Sequence, residues 1–128
     1  MLKVFIIEDD ANVLFGLQAQ LSLRGFNVIT ENGNESVEAI LNKIRIVMPD
    51  FVILDLILPK FDGFEILKLI KMDKEICNIP VFAFTNLSDD DSRNRGMDLG
   101  IEFYLLKNEI SIDEAVDKFT KIVKNKLK

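Results

Sequence analysis

Four short apolar runs punctuate the chain: Val4–Ile7, Phe51–Leu54, Val81–Phe84 and Phe103–Leu106. Each is nearly continuous rather than alternating, and rich in β-branched and aromatic residues, as strands covered on both faces are. A weaker run at Phe26–Thr30 reads as a fifth strand. Between the runs, apolar residues recur at helical spacing. One stripe is Leu14, Leu17 and Leu21; a second is Val37, Ile40, Leu41 and Ile44; a third is Phe64, Leu67 and Ile70. The last, with Ile112, Ala115, Val116, Phe119, Ile122 and Val123, keeps one face apolar towards the terminal KNKLK. Gly25, Gly33, Gly63 and Gly100 fall at the edges of these segments, where turns and caps want glycine. Pro49 and Pro80 precede the third and fourth strands, where a missing backbone donor is tolerated. The order βαβαβαβαβα predicts an α/β fold, a five-stranded parallel sheet doubly wound as (βα)5 with helices on both faces.

One stretch breaks the pattern. Ser88–Asp98 reads SDDDSRNRGMD, with Met97 its only large apolar residue. A helix there has little to anchor it, so local mobility is expected to be greatest at this point.

Length and composition narrow the field. At 128 residues the chain falls below the ~150 per domain used as a soft prior, so residues 1–128 are expected to form one domain. A net charge of −5 argues against a general nucleic-acid surface, and no direct nucleic-acid contact is expected. Histidine is absent, which excludes Ser-His-Asp and Cys-His catalysis, HExxH sites and zinc fingers. The lone Cys77 cannot form an internal disulfide and reads as a small hydrophobe. No apolar run approaches the ~18 residues of a membrane span, and the start MLKVFIIEDD turns acidic too soon for a signal peptide. A cytoplasmic location, away from membranes, follows as an expectation.

In open α/β sheets ligands bind beyond the carboxyl ends of the strands, where strand order reverses. Glu8, Asp9 and Asp10 follow the first strand, Asp55 the third, Thr85 the fourth and Lys107 the fifth. Thr30 and Glu31, after the second, are expected at the sheet edge, away from the site. Asp9 or Asp10 could simply cap the following helix. Asp55 is harder to dismiss, because it lies among apolar residues in FVILDLILP, where an ionised carboxylate is costly unless paired or liganded. Glu8, Asp9 and Asp55 together would repel one another, and a divalent cation with Lys107 would balance them. Oxygen ligands without His or thiolate select Mg²⁺ or a similar ion. A carboxylate nucleophile, a cation, an ammonium and a hydroxyl are the parts that phosphoryl transfer uses.

The chain resembles the receiver domain of two-component response regulators along essentially its whole length. KVFIIEDD resembles the opening acidic pair, with Glu8 and Asp9 in the metal-site positions. PDFVILDLILPKFDGFEIL resembles the phosphoacceptor segment, with Asp55 as phosphoacceptor and Leu58, Pro59, Asp62 and Gly63 in the turn that follows. IPVFAFTNLSDDD carries the switch Thr85, and GIEFYLLKNEIS the aromatic switch Tyr104 and Lys107. The resemblance implies a flavodoxin-like fold, Mg²⁺ (or Mn²⁺) as cofactor and the Ile57 backbone carbonyl as a further metal ligand. It implies phosphotransfer to Asp55 from a sensor histidine kinase or histidine phosphotransfer protein, the domain catalysing only its own phosphorylation and dephosphorylation. Thr85 would then move towards the phosphoryl group, Tyr104 would turn inward, and the face of the fourth helix, fifth strand and fifth helix would meet a downstream protein. Such domains dimerise through the fourth and fifth helices, so a monomer or weak homodimer is expected.

Three positions depart from the family pattern. Asn108 stands where proline with a cis bond is common; a cis non-proline bond costs roughly 2.5–4 kcal/mol, which points to a trans bond and a displaced Lys107. Asn86 replaces a small residue after Thr85 and would narrow access to the phosphoryl group. Ile57 and Leu87, two residues after Asp55 and Thr85, offer no polar side chain to orient water, so self-dephosphorylation is expected to be slow. No stretch remains for an output domain, so the chain is either a stand-alone receiver or part of a longer protein. The main alternative is a degenerate receiver that binds proteins without being phosphorylated. An aspartyl-nucleophile phosphohydrolase would want a second acid where Ile57 stands. An FMN-binding flavodoxin would want a phosphate loop where EDDAN would repel phosphate.

Overall fold

The computed structural model describes residues 1–126. Its elements are β1 (Lys3–Ile7), α1 (Ala11–Leu23), β2 (Asn27–Glu31), α2 (Val37–Val47), β3 (Phe51–Leu54), α3 (Gly63–Met72), β4 (Val81–Thr85), α4 (Asp90–Asp98), β5 (Phe103–Leu106) and α5 (Ile112–Lys126). All strand pairs are parallel, in the order β2-β1-β3-β4-β5, which is the flavodoxin-like doubly wound sheet expected from the sequence. Strand order reverses between β1 and β3, and β2 lies at one edge. The expected strands differ from the observed ones by a residue at most at either end, whereas α4 begins at Asp90 rather than Ser88. The last two residues of the KNKLK segment lie outside the described residues.

The apolar runs are continuous because each strand feeds two cores at once, successive side chains pointing to opposite faces. Val4, Ile6, Phe51, Ile53, Phe82 and Phe84 face α1 and α5, meeting Leu17, Leu21, Val116 and Phe119. Phe5, Ile7, Val52, Leu54, Val81 and Ala83 face the other way, meeting Ile40, Ile44, Phe64, Leu67 and Ile70 of α2 and α3. The α1/α5 side carries a chain of aromatic contacts. Phe26 meets Phe51 edge-on at 5.6 Å, Phe51 meets Phe82 at 5.4 Å, and Phe82 stacks on Phe119 at 5.3 Å and 4°. Such pairs add about 0.5–1.5 kcal/mol each beyond area burial.

All five helices begin at acceptor side chains, α5 at Ser111, whose hydroxyl accepts from Glu114 N–H at 3.1 Å. Asp10, Ser36, Asp62 and Asp89 cap α1, α2, α3 and α4, each accepting from backbone N–H groups of the first turn. The cap of α1 is Asp10, not Asp9, which leaves the Asp9 carboxylate free to face the strand ends. The polar α4 buries only Gly96, and Met97, the large apolar residue of that segment, is 49% exposed. Packing of α4 therefore depends on a residue with no side chain, meeting the Tyr104 ring.

Candidate functional site

The strand ladders continue one residue past the strand ends and so fix the site backbone. Glu8 N–H donates to the Glu31 carbonyl at 3.0 Å, Asp55 N–H to Ile7 at 3.0 Å, and Lys107 N–H to Thr85 at 2.9 Å. The first residues beyond β1 and β3 therefore sit side by side at the reversal point, while Lys107, beyond β5 at the far edge, reaches them across the end of β4 with its long side chain. Glu8, Asp9 and Asp55 each offer a carboxylate oxygen, all within 4.8 Å of one another. Asp55 and Glu8 are buried while Asp9 is exposed. Lys107 closes the group, its Nζ lying 2.6 Å from both Asp55 Oδ2 and Glu8 Oε1. A cavity of about 210 Å³ opens here, lined by Asp9, Asp10, Asp55, Ile57, Asn86 and Lys107.

Each buried carboxylate has a second partner on its other oxygen. Glu8 Oε2 accepts from Asp10 N–H at 3.1 Å, and Asp55 Oδ1 accepts from Ile57 N–H at 3.0 Å. Burial pushes the Glu8 carboxyl up to about 7, with the hydrogen bond from Lys107 opposing and the nearby Asp55 charge reinforcing the rise. Burial pulls the Lys107 ammonium down, but its hydrogen bonds to Asp55 and Glu8 outweigh this and its pKa rises. The donor set fits a hard divalent cation: three carboxylates within one ion's reach, no nitrogen or sulfur ligand, and a cavity open to water.

The remaining expected residues are placed as follows. Among the described residues no peptide bond is cis, so Lys107–Asn108 is trans; the displacement of Lys107 anticipated for that case does not occur. Thr85 is the last residue of β4 rather than beyond it, and is fully buried, its hydroxyl accepting from Leu87 N–H at 3.3 Å. Asn86 lines the cavity, where its larger side chain was expected. Tyr104 already lies inward in this structure, 5% exposed, its hydroxyl donating to the Leu87 carbonyl at 2.6 Å. An inward turn of the ring is therefore not a step that remains to be made from this state. An isoleucine, Ile57, 51% exposed, stands where a phosphohydrolase would want a second acid. Glu31 belongs to the sheet edge, as expected, where it is buried against Lys43 Nζ at 2.7 Å.

Sequence reasoning placed Gly63 in the turn after Asp55 but missed its steric role against Leu56. A Cβ there would lie 2.5 Å from Leu56 Cα and 2.8 Å from the Asp55 carbonyl oxygen, so the start of α3 can sit against the end of β3 only with glycine. The signal was present in the Asp62-Gly63 pair, a helix cap followed by the smallest residue.

Acidic residues on the ends of β1 and β3, a lysine beyond β5 and a buried threonine ending β4 define a receiver-type site on a receiver-type sheet. The comparisons agree: the sequence matches the family described as response regulator receiver domain over residues 4–119, and the chain belongs to that family. A protein of Guillardia theta described as "Probable transcriptional regulator ycf27" is 35% identical over 105 residues, covering 82% of this chain and 39% of its own length. The alkaline phosphatase synthesis transcriptional regulatory protein PhoP of Bacillus subtilis is 30% identical over 105 residues, covering 82% of this chain and 42% of its own. The signal receiver domain of a DNA-binding response regulator from Colwellia psychrerythraea superposes with a TM-score of 0.84 at 26% identity, covering 97% of this chain and 99% of that one. The chain spans about two fifths of the length of these two curated relatives. None of its described helices is long and apolar enough to cross a membrane.

Proposed function

We propose that Asp55 accepts a phosphoryl group from the phosphohistidine of a sensor histidine kinase or histidine phosphotransfer protein. The observation that carries this reading is the seat of Lys107, 2.6 Å from Asp55 and from Glu8 inside a cluster of three carboxylates. An Asp55 carboxylate oxygen attacks phosphorus, the P–N bond breaks, and the imidazole leaves with the bonding pair to take a proton. Asp55 becomes an acyl phosphate. Glu8, Asp9, Asp55 and the Ile57 carbonyl would hold Mg²⁺ (or Mn²⁺), which when bound supplies positive charge to the transferring oxygens. Lys107, already paired with Asp55, supplies a second positive charge. The Thr85 hydroxyl, one residue from the cavity-lining Asn86, donates to a phosphoryl oxygen once it leaves Leu87 N–H. The partner supplies the histidine that this chain lacks.

Residues 1–128 act in this reading as one receiver domain, monomeric or weakly dimeric, in the cytoplasm. It catalyses only the addition and loss of its own phosphoryl group. The uncharged α1, which follows the cavity-lining Asp10 and leaves Phe15 66% exposed, gives the donor protein an apolar landing. The α4–β5–α5 face meets the downstream protein. No nucleic-acid contact is assigned to this chain, whose net charge is −5. The non-phosphorylated alternative drew on Asn86 and Asn108, and with Lys107 seated on Asp55 the second of these lends it no support.

The test is phosphate labelling with acetyl phosphate or a phosphohistidine donor in Mg²⁺, alongside beryllofluoride binding. The wild-type chain should take label and bind beryllofluoride only with the metal, and Asp55→Asn should do neither. A wild-type chain that stays unlabelled and ignores beryllofluoride refutes the reading.

A further inference from the structure

The helix α4 raises a packing question. A well-packed helix buries several side chains worth about 1.5–3 kcal/mol each, yet α4 buries only Gly96, against the Tyr104 ring. Beyond the C-cap Leu99, which packs at the margin of the core, two arginines attach it on opposite sides. Arg93 places its guanidinium 5.4 Å from the Tyr104 ring centroid, facing β5. Arg95 places its guanidinium 4.3 Å from the centroid of Phe64, which is itself 4% exposed. The same Arg95 lies 3.8 Å from Asp62 Oδ2.

Asp62 and Phe64 flank Gly63 at the junction of the β3–α3 loop and α3, and that loop begins at Asp55. Its backbone is tied at both ends. Asp55 Oδ1 accepts from Ile57 N–H, Ile57 and Asp62 form an antiparallel bridge, and Asp62 Oδ1 accepts from Phe64 N–H at 2.9 Å. A displacement of the Asp55–Ile57 turn therefore reaches Asp62 without crossing any disordered segment.

We propose that Arg95 is a positioning residue that couples the β3–α3 loop to α4, forming a second line from Asp55 to α4 that bypasses Thr85 and Tyr104. Its switching role rests on the phosphoacceptor reading, whereas the mechanical coupling does not. Asp91 and Asp98, which line the same α3–α4 groove with Glu65 and Lys68, are the other charges within its surroundings. They belong to α4 itself or sit across the groove, so neither ties Arg95 to the loop.

The test is a double-mutant cycle read by amide hydrogen exchange. Arg95→Gln should speed exchange of the α4 amides about two- to fivefold, the range set by one exposed cation–π contact, and leave β1, β3 and β4 unchanged. Asp62→Asn keeps a capping side chain on α3 and should speed α4 exchange in the same direction. The double variant should exchange no faster than Arg95→Gln alone. Independent, additive effects, or an unchanged α4 in Arg95→Gln, overturn the coupling. A second arm adds Mg²⁺ and beryllofluoride and follows the Gly96 and Gly100 amides by NMR. They should move in the wild type and move by less than half as far in Arg95→Gln; equal movement overturns the second line. A wild type that binds no beryllofluoride sinks the phosphoacceptor reading, while the cycle still decides the coupling.

Discussion

Replacing Gly63 with alanine probes the contact that sets the Asp55–Leu56 segment against α3. The added Cβ would lie 2.5 Å from Leu56 Cα, 2.7 Å from the Leu56 carbonyl oxygen and 2.8 Å from that of Asp55. All three are backbone atoms, so no side-chain rotation relieves the clash; α3 or the end of β3 must shift. Overpacking of this kind costs about 1–3 kcal/mol. Alanine's helix propensity returns roughly 1 kcal/mol at most, and less at the first helical residue. A net loss of about 2 kcal/mol is expected at the upper part of that range. With an unfolding entropy of roughly 2.1 cal/mol/K per residue over 128 residues, this lowers Tm by about 7 °C. Gly25→Ala is the matched control: φ there is +88° and nothing lies within 4 Å, so its cost is conformational alone, about 1–2 kcal/mol. Thermal unfolding followed by circular dichroism reads the first effect, and a Mg²⁺ titration reads the second. Gly63→Ala should weaken Mg²⁺ binding because the clash moves Asp55, while Gly25→Ala should leave it unchanged. A Tm within about 2 °C of wild type, under 1 kcal/mol at this size, or Mg²⁺ affinity equal to that of Gly25→Ala, would refute the steric argument.

Three further outcomes are expected. Lys107→Met leaves Glu8 and Asp55 facing each other without a counter-charge and should destabilise the metal-free fold by about 3 kcal/mol in urea unfolding; Mg²⁺ should restore part of the loss, and no response to Mg²⁺ would contradict the site. Asp73 is held below its usual 3.8 by Glu75 N–H and then Arg45, so the folded state binds this proton less readily than the unfolded chain. Its stabilisation is present above pH 3.8 and fades as pH falls through the lower folded value, so Asp73→Asn should flatten the acid limb of stability against pH, and superimposable profiles would count against it. With apolar Ile57 and Leu87 beside the site, a phosphorylated Asp55 should persist for minutes or longer in Mg²⁺; loss of label within seconds would show that another group orients water.

The strands and helices were legible because apolar periodicity carries both the element type and the faces it serves. Phe51–Leu54 and Phe103–Leu106 are strands with the expected bounds, and Ile40, Leu41, Ile44, Leu67 and Phe119 are buried as their stripes require. The acids that meet at the reversal point were legible too, since ladder geometry brings whatever follows β1 and β3 together, and a lysine beyond β5 is long enough to reach them across β4. What the sequence hid depends on through-space partners. Nothing local distinguishes Asp10 from Asp9 as the cap, places Lys107 on Asp55 through a trans bond, or turns Tyr104 inward onto Leu87. Gly96 in place of a large side chain, and two arginines laid on aromatic rings, are likewise invisible to a search for apolar stripes. Those contacts replace the hydrophobic seam that the period-3.6 pattern would have revealed.

The stacked rings of Phe82 and Phe119 have a consequence for how the molecule distributes wear and change. A layer of interlocked aromatic planes has few alternative arrangements, whereas a helix held by two guanidinium groups has many. Substitutions beneath α1 and α5 should therefore shorten the lifetime of the native state, and those around α4 should retune responsiveness while the scaffold endures. Lineages diverging from this sequence could vary one layer for new partners and leave the other almost untouched.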